Sequence, residues 1–267
     1  MKTVVITGSA RGFGYEMIKL FRGADFNTVL CDINEESLKK AKEDLEKEKG
    51  KGKVIAVKAD VTSSEDINNL INVVLKEVET IDFWINNAGV NQPDLPIWEV
   101  SEQAINRLIE IDLKGTILCS KLIMPIMIKQ GHGQIFNVEG YGSNDATSVG
   151  LSIYGTTKRA VTYFTEALAH EAKALNTNVL IGKITPGIMI TDFITTALGN
   201  GEKIDLPEKT KKVYNILGDY PSTIANYIVP RLIKNKKNNA KIVWLTSSRA
   251  FFRFMGASFN KRDFFKK

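Results

Sequence analysis

Short apolar runs rich in β-branched and aromatic residues recur along the chain at Thr3–Thr7, Thr28–Cys31, Val54–Val57, Phe83–Ile85, Gln134–Val138, Asn178–Ile184 and Lys241–Leu245. The intervals between them carry helical periodicity instead. Between Glu35 and Glu48 charged residues dominate, and Leu38, Ala41 and Leu45 form the narrow apolar stripe of an exposed helix. Strands that are apolar on both faces must be covered on both faces, and parallel strands need crossovers that helices supply. The pattern therefore predicts an α/β fold, a doubly wound parallel seven-stranded sheet flanked by helices on both faces.

No Pro-, Gly- or Ser-rich linker divides the 267 residues, so a single domain over residues 1–267 is expected. The interval from Ile188 to Tyr220 exceeds the usual strand-to-helix connection and contains Gly199-Asn200-Gly201, which predicts a substrate-covering lid over residues 188–220. A composition of 43% hydrophobic and 25% charged residues excludes disordered and collagen-like classes. Cys31 and Cys119 lie far apart in apolar runs and read as reduced core thiols, while Val4-Val5-Ile6 is too short for a signal peptide or a membrane span. A cytoplasmic location is the resulting expectation. His132 and His170 without a Cys/His cluster give zinc no ligand set, so no metal is expected.

The net charge of +6 is unevenly spread. From Arg231 onward there are 11 Lys/Arg against the single acid Asp263, which leaves 25 Lys/Arg against 29 Asp/Glu in the rest of the chain. The attraction to anions is therefore local to the C-terminal segment.

The first predicted strand runs into Thr7-Gly8-Ser9-Ala10-Arg11-Gly12-Phe13-Gly14, and a helical pattern begins at once. Glycines placed there let the chain turn sharply and let pyrophosphate approach the N–H groups of a helix N-terminus. Gly8, Ser9, Arg11, Gly12, Phe13 and Gly14 thus form a candidate dinucleotide turn of Rossmann type. Asp32, 18 residues beyond Gly14, ends the second strand where a carboxylate can accept from the adenosine ribose hydroxyls and repel a 2′-phosphate. NAD(H) is favoured. Arg11, able to pair with such a phosphate, keeps NADP(H) as the alternative. Asp60, before Val61, either meets the adenine edge or simply starts a helix.

Tyr154 and Lys158 stand at i and i+4 of a helical pattern over Ile153–Leu175, which puts both on one face. An ammonium beside a phenol favours the phenolate and tunes it for acid–base work. The ordered set Thr7-Gly8-x-x-x-Gly12-x-Gly14, Asp60-Val61, Asn86-Asn87-Ala88-Gly89, Tyr154-x-x-x-Lys158 and Pro186-Gly187 followed by Thr191 resembles the short-chain dehydrogenases/reductases over nearly the whole chain. The resemblance implies that Tyr154 exchanges the proton and Lys158 also holds the nicotinamide ribose. It further implies that Asn87, Ala88 and Gly89 border the cofactor, and that Pro186, Gly187, Ile188 and Thr191 line its nicotinamide end.

Two positions depart from the family pattern. Asp112 replaces an Asn expected in Ile111-Asp112-Leu113-Lys114-Gly115, and its charge is expected to raise the Lys158 pKa. Gly140 stands where a serine hydroxyl normally polarises the carbonyl, leaving Ser143 either as its replacement or as a loop residue facing water. The glycine-rich stretch and the segment from Val229 to Thr246 are similar to the chlorophyll b reductase branch, which implies a large tetrapyrrole substrate.

In the tail, residues 247–267, six Phe interleave with six Lys/Arg. These rings are expected to pack on the domain or on a second subunit of a homodimer or homotetramer. A peripheral membrane contact is the alternative, and no nucleic-acid partner is expected. The expected function is an NAD(P)(H)-dependent oxidoreductase interconverting a carbonyl and an alcohol on a fairly apolar small molecule. The rival is a dinucleotide-binding regulatory or scaffold protein that Asp112 and Gly140 have deprived of turnover.

Overall fold

The computed structural model describes residues 1–191 and 206–266. All seven predicted strands form: β1 (Thr3–Thr7), β2 (Asn27–Asp32), β3 (Val54–Lys58), β4 (Phe83–Asn86), β5 (Gly133–Val138), β6 (Val179–Thr185) and β7 (Ala240–Val243). They build one sheet of order β3-β2-β1-β4-β5-β6-β7, with every neighbouring pair parallel. Val5 pairs with Val29 on one side and Trp84 on the other, so the chain first winds outward from β1 and then returns to its opposite flank. That reversal opens a crevice at the carboxyl ends of β1 and β4, where ligands of such sheets bind.

Helices α1 (Gly12–Gly23), α2 (Glu35–Lys47) and α3 (Ser64–Glu77) succeed the first three strands. Asn34 and Ser63 cap α2 and α3 by accepting from Ser37 N–H (2.8 Å) and Asp66 N–H (3.2 Å), each satisfying one orphan amide of a first turn. Beyond β4, α4 (Glu102–Leu108) runs into a π-helical turn over Ile109–Gly115 and on into α5 (Thr116–Gln130). Helix α6 (Ser152–Ala174) precedes β6; α7 (Glu208–Leu217), α8 (Pro221–Ile233) and α9 (Ser247–Met255) complete the described part. One sheet face is closed by Met17 and Phe21 of α1 with Ile224 and Ile228 of α8. The other is closed by Leu70 of α3, Ile123 and Met127 of α5, and Ala169 of α6. The alternation read from the sequence thus places a fully covered sheet under the crevice.

Of the expected lid, residues 192–205, including Gly199-Asn200-Gly201, lie outside the described residues. Helix α7 comes next in the chain; its Thr210 and Tyr214 line a cavity together with Gln92, and its C-terminal end is held to the tail. Arg253 and Arg262 both pair with Asp219, at 2.6 and 3.2 Å, and both donate to carbonyls at the end of α7. Arg249 stacks on the Trp244 ring at 3.9 Å. Arg249, Arg253 and Arg262 therefore turn inward, Phe264 and Phe265 pack on Tyr220 and Tyr214 with ring centroids 5.1 and 6.3 Å apart, and Phe251, Phe252 and Phe259 are exposed. Carbonyls at a helix C-terminus lack intrahelical partners and attract guanidinium donors. Among the described residues, no helix is long and apolar enough to cross a membrane.

Candidate active site

The glycine-rich turn is shaped for close approach. Gly8 has φ +62°, and a Cβ there would lie 2.8 Å from Ala88 Cα; Gly14 leaves room for Gly8 O and Asn87 Nδ2. Gly12 has φ +60° and open space where a Cβ would stand. Helix α1 starts at this glycine with no side-chain cap and no acid in its first turn, so its N–H groups face outward for an anion. These residues fit the pyrophosphate of a dinucleotide.

Asp32 lies against the same turn, its Oδ2 accepting from Ala10 N–H at 3.3 Å and its Oδ1 from Asn34 N–H at 3.1 Å. Arg11 is exposed beside it. Three expected side chains do other work. The Ser9 hydroxyl donates to Ile6 O (2.7 Å) and accepts from Cys31 N–H (3.1 Å), and Phe13 is buried in the core, so neither side chain faces a cofactor. Asp60 accepts from both the N–H and the hydroxyl of Thr62, each at 2.8 Å, which is the turn-forming role. Val61 is buried against Gly115.

At the end of β4, Asn87 donates to Thr7 O and Gly8 O, both at 3.0 Å, while the Thr7 hydroxyl accepts from the N–H groups of Asn87 and Ala88. This locks the second crevice edge to the glycine turn. Beneath it, Asn86 donates to Ser120 Oγ (3.0 Å) and Asn137 Oδ1 (2.8 Å), and Asn137 donates to Thr165 Oγ1 (2.8 Å). These buried amides tie β4, α5, β5 and α6 together with their polar groups paired. Pro186, Gly187 and Ile188 leave β6 at the same edge of the sheet, Gly187 at φ +76°, and Thr191 is the last residue before the undescribed segment.

Lys158 and Tyr154 share one buried face of α6, with Lys158 Nζ 5.4 Å from the Tyr154 ring centroid. The π-helical turn presents Asp112, fully buried, whose Oδ2 pairs with Lys158 Nζ at 2.9 Å while Oδ1 accepts from Val90 N–H at 2.8 Å. Gly89 sits directly over this pair. Burial raises the Asp112 pKa, and Lys158 opposes that shift. For Lys158, burial favours loss of the proton, but Asp112 and then Tyr154 outweigh it and leave the pKa raised, as expected. Tyr154 departs from expectation. Burial lifts its pKa, Lys158 pulls it down, and Asp112 pushes it up again, leaving it above the usual phenol value. Burial is the largest of these causes, and Asp112 acts against the ammonium in the same direction as burial.

Gly140 packs against the phenol: a Cβ there would overlap the Tyr154 hydroxyl oxygen and stand 2.9 Å from Cζ. Its φ is not in the left-handed region, so space rather than backbone conformation selects glycine. Ser143 is not a loop residue facing water: its buried hydroxyl accepts from Gly140 N–H (3.2 Å) and donates to Lys158 O (3.4 Å), fastening the turn to α6. Gln92 belongs to no motif or periodic pattern, so sequence reasoning passes over it. It is 3% exposed, and its Oε1 accepts from Ile153 N–H (2.9 Å) and Tyr154 N–H (3.0 Å). Beside it lies a cavity of about 330 Å³.

Known proteins match this arrangement. A model of the short chain dehydrogenases covers residues 2–200. The chain is 31% identical over 257 residues to chlorophyll(ide) b reductase NOL of Oryza sativa subsp. japonica, covering 94% of this chain and 73% of that protein. It is 30% identical over 264 residues to the probable chlorophyll(ide) b reductase NYC1 of Arabidopsis thaliana, covering 93% of this chain but only 51% of that one; the chain spans about half of that relative. Among solved structures, a 7α-hydroxysteroid dehydrogenase complexed with NADH and 7-oxo glycochenodeoxycholic acid superposes with a TM-score of 0.79 at 21% identity, over 92% of this chain and 93% of that one. With a family match across most of its length and the Tyr154–Lys158 pair set beside a dinucleotide turn, the chain belongs to the short-chain dehydrogenase family.

Proposed function

We propose that the protein is a carbonyl reductase that uses NADH and acts on a partly polar substrate. Its family is one of hydride-transferring oxidoreductases, and the observation that carries the reading is the buried Tyr154–Lys158 pair beside the dinucleotide turn, where the Tyr154 phenol can give its proton to a developing alkoxide. A bound nicotinamide supplies the hydride. The chain's own residues do the rest. The N–H groups at the start of α1 hold the pyrophosphate, Asp32 accepts from the adenosine ribose, and Lys158 orients the nicotinamide ribose while Asp112 fixes its ammonium. Asp112 and Gly140, which gave weight to a protein without turnover, both pack on the Tyr154–Lys158 pair and maintain its geometry.

NADH is preferred over NADPH in this reading because Asp32 lies against the turn and a 2′-phosphate there would meet its carboxylate. The relatives named for chlorophyll(ide) b reduction support reduction of a carbonyl. The cavity of about 330 Å³ is the proposed substrate site. Its walls mix Asn91, Gln92 and Asp94 with Leu151 and Leu206, which favours a partly polar substrate over the fairly apolar one expected from the sequence. A second copy of the chain is proposed as the cover for the exposed rings of α9. The test of function is NADH consumption against a panel of ketones and aldehydes with the alcohol identified by mass spectrometry. Alcohol formation with NADH in preference to NADPH is expected, and no turnover of any member would overturn the reading.

A further inference from the structure

Two backbone N–H groups of the first turn of α6 point at the Gln92 side chain, and only its oxygen can accept them. That fixes the amide orientation and turns Nε2, with its two donors, to the other side. This nitrogen is buried and has no hydrogen-bond partner. An unpaired buried amide is costly, and native structures rarely tolerate one without a use. Capping alone does not explain the residue type. A glutamate would accept the same two N–H groups and gain from the positive end of the helix dipole, so the amide nitrogen is superfluous to the cap.

Gln92 lines the cavity of about 330 Å³ together with Asn91, Asp94, Leu151, Leu206 and Tyr214. Gln92 Oε1 accepts from Tyr154 N–H at 3.0 Å, so the cavity lies beside the turn of α6 that carries the reacting phenol. We infer that the Gln92 amide nitrogen is a substrate-recognition donor, and that the substrate carries a second, neutral acceptor oxygen beside the carbonyl that is reduced. Asp94 in the same wall repels a carboxylate or phosphate, which leaves a ketone, ester or hydroxyl oxygen as the group recognised. The inference rests on the carbonyl-reductase reading, deepens it to a substrate class, and makes Gln92 a specificity-determining residue.

The test compares wild type, Gln92→Glu and Gln92→Met on 2,3-pentanedione and 2-pentanone with NADH. Gln92→Glu keeps the acceptor for the two N–H groups and removes both donors; Gln92→Met removes donor and acceptor together. Comparing each variant with wild type on the same substrate cancels the intrinsic reactivity of the diketone. Gln92→Glu is expected to lower kcat/KM for the diketone roughly 10- to 100-fold, mainly through KM, while the monoketone changes less than about threefold. Gln92→Met should add a loss common to both substrates. Equal losses on the two substrates in Gln92→Glu would reduce Gln92 to a positioning residue for α6, and unchanged kinetics would remove it from recognition; either overturns the inference while leaving the reductase reading intact. If wild type turns over neither these nor any other carbonyl, both fall together.

Discussion

Replacing Asp112 by Asn removes the anion that neutralises Lys158 while keeping an oxygen able to accept from Val90 N–H. Both consequences push the Tyr154 phenol the same way. The repulsion between Asp112 and a phenolate is lost, and the Lys158 ammonium acts uncompensated. With Asp112 2.9 Å from Nζ and Nζ 5.4 Å from the ring centroid, the carboxylate lies at most about 8 Å from the ring. At an effective dielectric of about 20, a charge at ~8 Å is worth about 2 kcal/mol, or on the order of a 10- to 100-fold change in the phenol's ionisation. Reduction requires the neutral phenol and fails as pH rises through its pKa; oxidation of the alcohol requires the phenolate and gains over the same range. Because burial raises the wild-type phenol pKa, reduction is expected to stay constant across neutral and mildly alkaline pH. In Asp112→Asn the alkaline limb of kcat for reduction should move to lower pH, and alcohol oxidation should become faster at a given pH. The assay is the pH profile of initial rates in both directions at saturating cofactor. An unmoved limb, or one displaced upward, would refute the claim that Asp112 offsets the Lys158 field. Melting temperature should fall as well, since leaving a buried charge unpaired costs up to roughly 3–5 kcal/mol.

The remaining predictions concern residues around the pair. Gly140→Ser, which restores the family residue, should lower kcat by about tenfold or more rather than raise it, because the new Cβ overlaps the Tyr154 hydroxyl; faster turnover would contradict the packing. Ser143→Ala should lower stability by about 1 kcal/mol and leave KM for a carbonyl unchanged, as thermal melts and steady-state kinetics can check. Asp32→Ala should narrow or reverse the preference for NADH over NADPH in fluorescence titrations, and an unchanged ratio would place the discrimination elsewhere. Phe252→Glu, on the exposed face of α9, should shift the species seen by light scattering toward monomer; loss of binding to anionic vesicles instead would assign the rings to a membrane surface.

Local interactions are legible in the sequence, and distant ones are not. Strands buried on both faces announce themselves as apolar runs, so all seven strands can be read, and i,i+4 spacing alone puts Tyr154 and Lys158 on one face of α6. Gly8, Gly12 and Gly14 are legible for the same reason, since a strand-to-helix turn needs them at fixed offsets. The features that escaped depend on contacts between distant segments. The Tyr154 pKa is raised first by burial and then by Asp112, 42 positions away in sequence and paired with Lys158. The burial of Ser143 likewise depends on where its turn meets the Lys158 carbonyl, 15 residues on. Gln92 has no pattern around it, and only its long-range bonds to Ile153 and Tyr154 expose it. The inward turn of Arg253 and Arg262 is likewise hidden in composition, because Asp219 lies 34 and 43 residues upstream of them.

Transfer of a labelled hydride in wild type and in Tyr154→Phe tests the central claim most directly. NADH carrying deuterium at both C4 positions is incubated with a carbonyl of the panel that turns over, and the alcohol is analysed by mass spectrometry alongside NADH binding by fluorescence. Wild type should deliver one deuterium to the carbinol carbon. Tyr154→Phe should bind NADH with nearly unchanged affinity yet form alcohol about 10²- to 10⁴-fold more slowly, the contribution expected of one positioned proton donor. An alcohol without deuterium, or a Tyr154→Phe variant as fast as wild type, would contradict the assignment of hydride transfer with Tyr154 as the proton donor.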